Sequence, residues 1–99
     1  MKLGFLTAAF PELTLEQIAP WAQENGFEAL EIACWPSRAG TARRYAGVSH
    51  IDVEDFDPKR VRDLMRRHGL EISSLAYYPN NLDPDSVARE AANDHLRKV

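Results

Sequence analysis

The feature that most constrains this chain is a device used twice: a glycine that stops a helix, followed at once by a short, largely apolar strand. Asn25-Gly26 leads into Phe27-Glu28-Ala29-Leu30-Glu31-Ile32-Ala33, and His68-Gly69 leads into Leu70-Glu71-Ile72-Ser73-Ser74-Leu75-Ala76. Glycine enters the left-handed conformation that closes a helix at little steric cost. Side chains then alternate across the strand that follows. In the first copy Glu28, Leu30 and Ile32 share one face, and Ala29, Glu31 and Ala33 share the other. The first face suits a covering of helices. The second, a carboxylate set among alanines, leaves room to line a pocket.

The remaining elements fit the same frame. Leu3 to Leu6 reads as a first strand, left through Thr7-Ala8-Ala9-Phe10-Pro11. Thr14 with Gln17 three residues on makes a capping box, and Leu15, Ile18, Ala19 and Ala22 form a helical stripe behind it. Pro20 interrupts that stripe, so a kink or a fresh helix start is expected there. Asp57-Pro58 is a cap with proline at the first helical position, ahead of the stripe Val61, Leu64, Met65 and His68. Asp83-Pro84 repeats the signal before Ala88, Ala91, Ala92, His95, Leu96 and Val99. The order is therefore strand-helix three times, an α/β fold of three consecutive βα units with parallel strands and right-handed crossovers, in one domain over residues 1–99. Three parallel strands alone leave both edges unpaired and one sheet face bare. The expectation is the N-terminal part of a TIM (β/α)8 barrel, which takes about 250 residues, or a unit that assembles with further copies.

Composition narrows the function classes. The net charge of -3 opposes a general polyanion-binding role, and 44% hydrophobic with 27% charged residues is ordinary for a globular domain. The single cysteine, Cys34, excludes an internal disulfide and a zinc site built on paired cysteines, and a reducing cytoplasm is its simplest home. No stretch has the length of a membrane span, and the N-terminus reads as strand rather than signal peptide.

In parallel α/β architectures chemistry gathers where strands end, which singles out Thr7 and Phe10, Glu31 and Trp35, and Tyr77, Asn80 and Asn81. Glu31 reads as a pocket carboxylate or as the partner of a nearby arginine. Trp35 reads as a wall for an apolar ligand face or as loop packing. The long connection from Trp35 to Phe56, with Arg43 and Arg44, is of a length that more often serves function. Within it His50-Ile51-Asp52-Val53-Glu54-Asp55 matches no metal-ligand spacing and reads as a solvated acidic loop. His68 and His95 read as helix residues, and no metal ligand is assigned. Nucleotide-binding glycine motifs and a nucleophile elbow around Ser73 or Ser74 are missing from the sequence. The arginines at 60, 62, 66 and 67 are interrupted by acids and read as a solvated helix face.

Lys2-Leu3-Gly4-Phe5, Asn25-Gly26-Phe27-Glu28-Ala29-Leu30-Glu31 and Gly69-Leu70-Glu71-Ile72-Ser73-Ser74-Leu75 together resemble a known family. The chain is similar to the N-terminal portion of a sugar phosphate isomerase/epimerase of the xylose isomerase-like TIM-barrel superfamily, which also contains endonucleases acting at abasic sites. The resemblance implies a divalent metal (Mn, Mg, Co or Zn) held by Glu, Asp, His and Glu from strands beyond residue 99. It implies proton transfer beside a carbonyl, with the metal as Lewis acid. On the substrate side it implies lining by Glu31, Trp35, His50, Tyr77 and Asn80 and a small sugar or polyol as partner. The acidic net charge and the lack of a membrane-length stretch give the expectation of neither nucleic acid nor membrane as partner. The 99 residues alone are then expected to be inactive. Two alternatives are an abasic-site phosphodiesterase of the same superfamily and a non-catalytic βα module that assembles as a homo-oligomer.

Overall fold

Both glycine stops form, with Gly26 at φ 79° and Gly69 at φ 63°. A computed structural model describes residues 1–36 and 49–99. Residues 37–48, which carry Gly40, Arg43, Arg44 and Gly47 of the long connection, lie outside the described residues. The elements are β1 (Gly4–Leu6), a 3-10 turn (Thr7–Ala9), α1 (Leu15–Glu24), β2 (Ala29–Ala33), α2 (Pro58–Arg67), β3 (Glu71–Ala76) and α3 (Ser86–Lys98). The strands form one three-stranded sheet in the order β1-β2-β3, with both pairs parallel. This is the α/β class and strand order expected from the sequence.

Helix α1 begins as its capping box predicts, with Gln17 Oε1 accepting from Thr14 N at 2.9 Å. Pro20 lies inside this single continuous helix, so no second helix starts there. Asp57 caps α2 by accepting from Lys59 N at 2.9 Å, with Pro58 at the first helical position. Helix α3 corrects the sequence reading. Its cap is Asp85, which accepts from Val87 N at 3.0 Å, whereas Asp83 accepts from Asp85 N at 2.9 Å in the turn before it. Asp and Asn hold such turns as readily as they cap helices, so two acids two residues apart made the start ambiguous. The stripe expected on α3 is not buried either: Ala88, Ala91 and Leu96 are exposed, and Ala92, His95 and Val99 are only partly buried.

Register decides which face is which. Leu30 pairs with Phe5 and Ile72, and Ile32 pairs with Leu75. Leu30 and Ile32 are fully buried with Leu15, Ile18, Ala19 and Ala22 of α1 and Leu64 and Met65 of α2, so both helices cover the same side of the sheet. A bulge between Leu30 and Glu31 sets Ser74, rather than Ser73, opposite Glu31. The sequence spacing explains it. Ile72 and Leu75 are three apart and would point to opposite faces of a regular strand, and one extra residue returns both to the helix side. Beside β1, Phe5 packs edge-on against Phe27 at 4.8 Å and Phe10 at 5.6 Å, under Trp21 of α1.

The opposite face carries Ala29, Glu31 and Ala33 and has no helix against it among the described residues. Gly4 belongs to this face: a Cβ there would stand 2.6 Å from the Ala29 carbonyl oxygen, so the close approach of β1 to β2 requires glycine. The outer strand β3 is exposed from Glu71 to Leu75.

Candidate functional site

The C-terminal ends of the strands are tied together by groups that replace missing ladder bonds. β1 gives way to the 3-10 turn at Thr7, short of the level of Ala33, which leaves the Ala33 amide without a strand partner on that side. The buried Thr7 hydroxyl accepts from Ala33 N at 2.9 Å instead. Thr7 is thus a structural hydroxyl, because an amide buried beside it has no access to water. On the same edge His50 N donates to Ala33 O at 2.9 Å and Cys34 bridges Ser49 in antiparallel sense, while toward β3 Cys34 N donates to Ala76 O at 2.9 Å.

Beyond these bonds the open face is closed by aromatic rings. Trp35 packs over Ala8, Ala33 and Ala76, with Leu6 and Tyr77 at the margin. Its ring meets Tyr77 at 5.7 Å and Tyr78 at 5.8 Å, both edge-on. Tyr77 in turn meets His95 of α3 at 4.5 Å, and His95 Nε2 donates to the Cys34 carbonyl at 2.7 Å. Burial raises the Tyr77 phenol above its ordinary range, so it stays protonated at neutral pH. Small residues of the strands make room for this wall: Ala33 and Ala76 are fully buried under it.

Glu31 is half-buried on the same face and accepts a hydrogen bond from the Tyr78 hydroxyl. That bond, with the nearby negative charge, raises the Tyr78 phenol. Among the described residues no arginine is paired with Glu31. Toward the N-terminal end of the sheet Glu31 borders an open groove with Lys2, Gly4, Leu6, Ala29 and Ser73. Lys2 crosses the foot of β2 to pair with Glu71 of β3.

The other two expected lining residues lie apart from this wall. His50 sits on the helix side, beside Leu15, Glu16, Asp57 and Leu64. Its Nε2 faces the carbonyls of Leu13 at 2.9 Å and Phe10 at 3.2 Å, which fixes the Nε2–H tautomer and leaves Nδ1 buried without a partner among the described residues. Desolvation lowers its pKa, partly offset by those two carbonyls. Asn80 turns the loop: its Oδ1 accepts from Leu82 N at 3.2 Å. The structure therefore brings together Glu31, Trp35 and Tyr77, adds Tyr78 and His95, and keeps His50 on the Phe10 and Leu13 carbonyls and Asn80 in a local turn. Alternation did not name Tyr78, since β3 ends at Ala76. His95 gave no signal either, because a histidine on a helix stripe does not name the carbonyl it will meet.

Cys34 has no nucleophilic role here. Its thiol is fully buried, donates to Ile32 O at 3.4 Å, and is pushed up to about 11 by desolvation. Among the described residues no three His, Cys, Asp or Glu side chains converge as metal ligands. The described residues also contain no helix long and apolar enough to cross a membrane.

Comparison with protein-family models, with curated proteins and with solved structures finds no match.

Proposed function

We propose that this chain supplies the first three βα units of a TIM barrel whose complete form is a metal-dependent sugar (phosphate) isomerase or epimerase, and that its open sheet face is the substrate side. The observation that carries the reading is the one-sided layering. Consecutive parallel strands with α1 and α2 both on one face have the sense of a sheet curling into a barrel, whereas a doubly wound sheet places helices on both faces. The uncovered face then becomes the barrel interior. Its strand ends carry what a polyhydroxylated substrate calls for: a half-buried carboxylate, Glu31, to accept hydroxyl protons, and the rings of Trp35 and Tyr77 to cover C–H faces.

Substrate contact and water exclusion are the tasks these residues can perform. A metal, where one is bound, supplies Lewis-acid stabilisation of charge next to the carbonyl, and its ligands belong to strands after β3. The test compares the 99-residue chain with the polypeptide isolated from its natural source, each assayed for manganese-dependent aldose–ketose and epimer interconversion, with the intact mass measured in parallel. The expected result is activity that accompanies a polypeptide of about 250 residues and none from the isolated chain. Metal-dependent turnover by the 99 residues alone overturns the partial-barrel reading. A barrel-sized polypeptide without such turnover overturns the isomerase reading.

A further inference from the structure

Tyr78 holds a position that neither packing nor loop geometry requires. Ser74 pairs with Glu31 and Ala76 with Ala33, so Tyr78 stands a further two residues along, level with Trp35. Its hydroxyl nevertheless donates to Glu31. To do so the side chain must run back over the sheet, across the level of Ala33, instead of pointing onward from the strand end. The ring lies there 64% exposed, touching Trp35 edge-on at 5.8 Å. A large, exposed aromatic ring gains little from burial in such a pose, so the bond to the carboxylate is what holds it.

A phenol hydroxyl donating to a carboxylate offers the same contact as an alcohol hydroxyl of a polyol. We infer that Tyr78 is a side-chain gate on Glu31: its hydroxyl occupies the place that a ligand hydroxyl takes, and a polyol binds by displacing it, swinging the ring off the open face. This rests on the reading of Glu31 as a substrate-side carboxylate. The gate explains how a carboxylate on an uncovered face stays partnered between ligands. It also sets a selectivity, because a ligand must present a hydroxyl able to replace the phenol on Glu31, and an apolar molecule of the same size gains nothing by opening it.

The experiment uses the 99-residue chain with xylitol as probe. Tyrosinate absorbance is followed against pH in the wild type, Tyr78→Phe and Glu31→Gln, and xylitol affinity is measured by NMR titration. The Tyr78 phenol, identified by its loss in Tyr78→Phe, is expected to titrate above its ordinary range in the wild type. It should return toward that range in Glu31→Gln and, equally, in the wild type saturated with xylitol. Tyr78→Phe, which keeps the ring and removes the competing hydroxyl, should bind xylitol about fivefold tighter, the equivalent of one net hydrogen bond. Xylitol binding that leaves the Tyr78 titration unmoved, or that is no tighter in Tyr78→Phe, overturns the gate while the polyol reading of Glu31 stands. If xylitol binds neither wild type nor Tyr78→Phe, the gate and the polyol reading of Glu31 fall together. The wild-type arm needs no variant to fold.

Discussion

At the scale of the residue, His50 couples folding to pH. Its Nε2–H is spent on two carbonyls, and among the described residues its buried Nδ1 has no partner. Burial lowers the folded-state pKa from 6.5, with the two carbonyls offsetting part of the shift. Above 6.5 the ring is neutral in both states and contributes no pH dependence. As pH falls below 6.5 the unfolded chain takes up a proton that the folded chain refuses, and stability declines until the lowered folded pKa is reached. Urea denaturation at pH 7.5 and at pH 5.5, both chosen to bracket that window, should therefore show a loss in the wild type that is reduced in His50→Gln. An equal loss in both would assign the effect to other groups. Gly4 is constrained by space rather than by charge. Gly4→Ala sets a methyl 2.6 Å from a backbone oxygen of the central strand, which cannot yield as a side-chain end would. The expected loss is about 1–3 kcal/mol by chemical denaturation.

At the scale of the element, the three strands are unequal. β2 is paired on both sides and buries Leu30 and Ile32 completely, while β3 leaves Ile72 at 39% and Leu75 at 41% exposure. Ile32→Ala should cost about 2–5 kcal/mol, the range for a buried aliphatic side chain that leaves a cavity. Ile72→Ala should cost a small fraction of that in this chain. Comparable losses would mean that β3 is covered in solution. α3 is a different case, since none of its residues is buried. Its ties to the sheet end are the His95 bond to the Cys34 carbonyl, the His95 contact with Tyr77 and the Lys98 pair with Glu54. The caps of α1 and α2, both glycine stops and the three-strand order were legible because each rests on local chemistry. The bulge in β3 was written in the Ile72 to Leu75 spacing. The start of α3 was not legible, because Asp83 and Asp85 offer the same capping chemistry and only the backbone path selects between them.

At the scale of the whole molecule, α1 and α2 cover one side of the sheet, and among the described residues no helix covers the other. Native-state hydrogen exchange should rank the amides accordingly, with β2 slowest, β1 and β3 faster, and α3 fastest of the helices. His95→Ala should raise exchange in residues 86–98 and leave β2 unchanged, and a global rise would show that α3 belongs to the cooperative core. The sequence by itself determined the α/β class, the helix and strand alternation, the faces of β2 and Glu31 as the carboxylate of the small-residue face. Those follow from side-chain periodicity, capping and glycine, all of which act over a few residues. Only the tertiary structure decided that α1 and α2 share one side, that Tyr78 folds back onto Glu31, and that His50 faces the Phe10 and Leu13 carbonyls instead of the aromatic wall. Those depend on strand register and on carbonyls distant in the chain, and a local pattern carries no record of which distant group will be within reach.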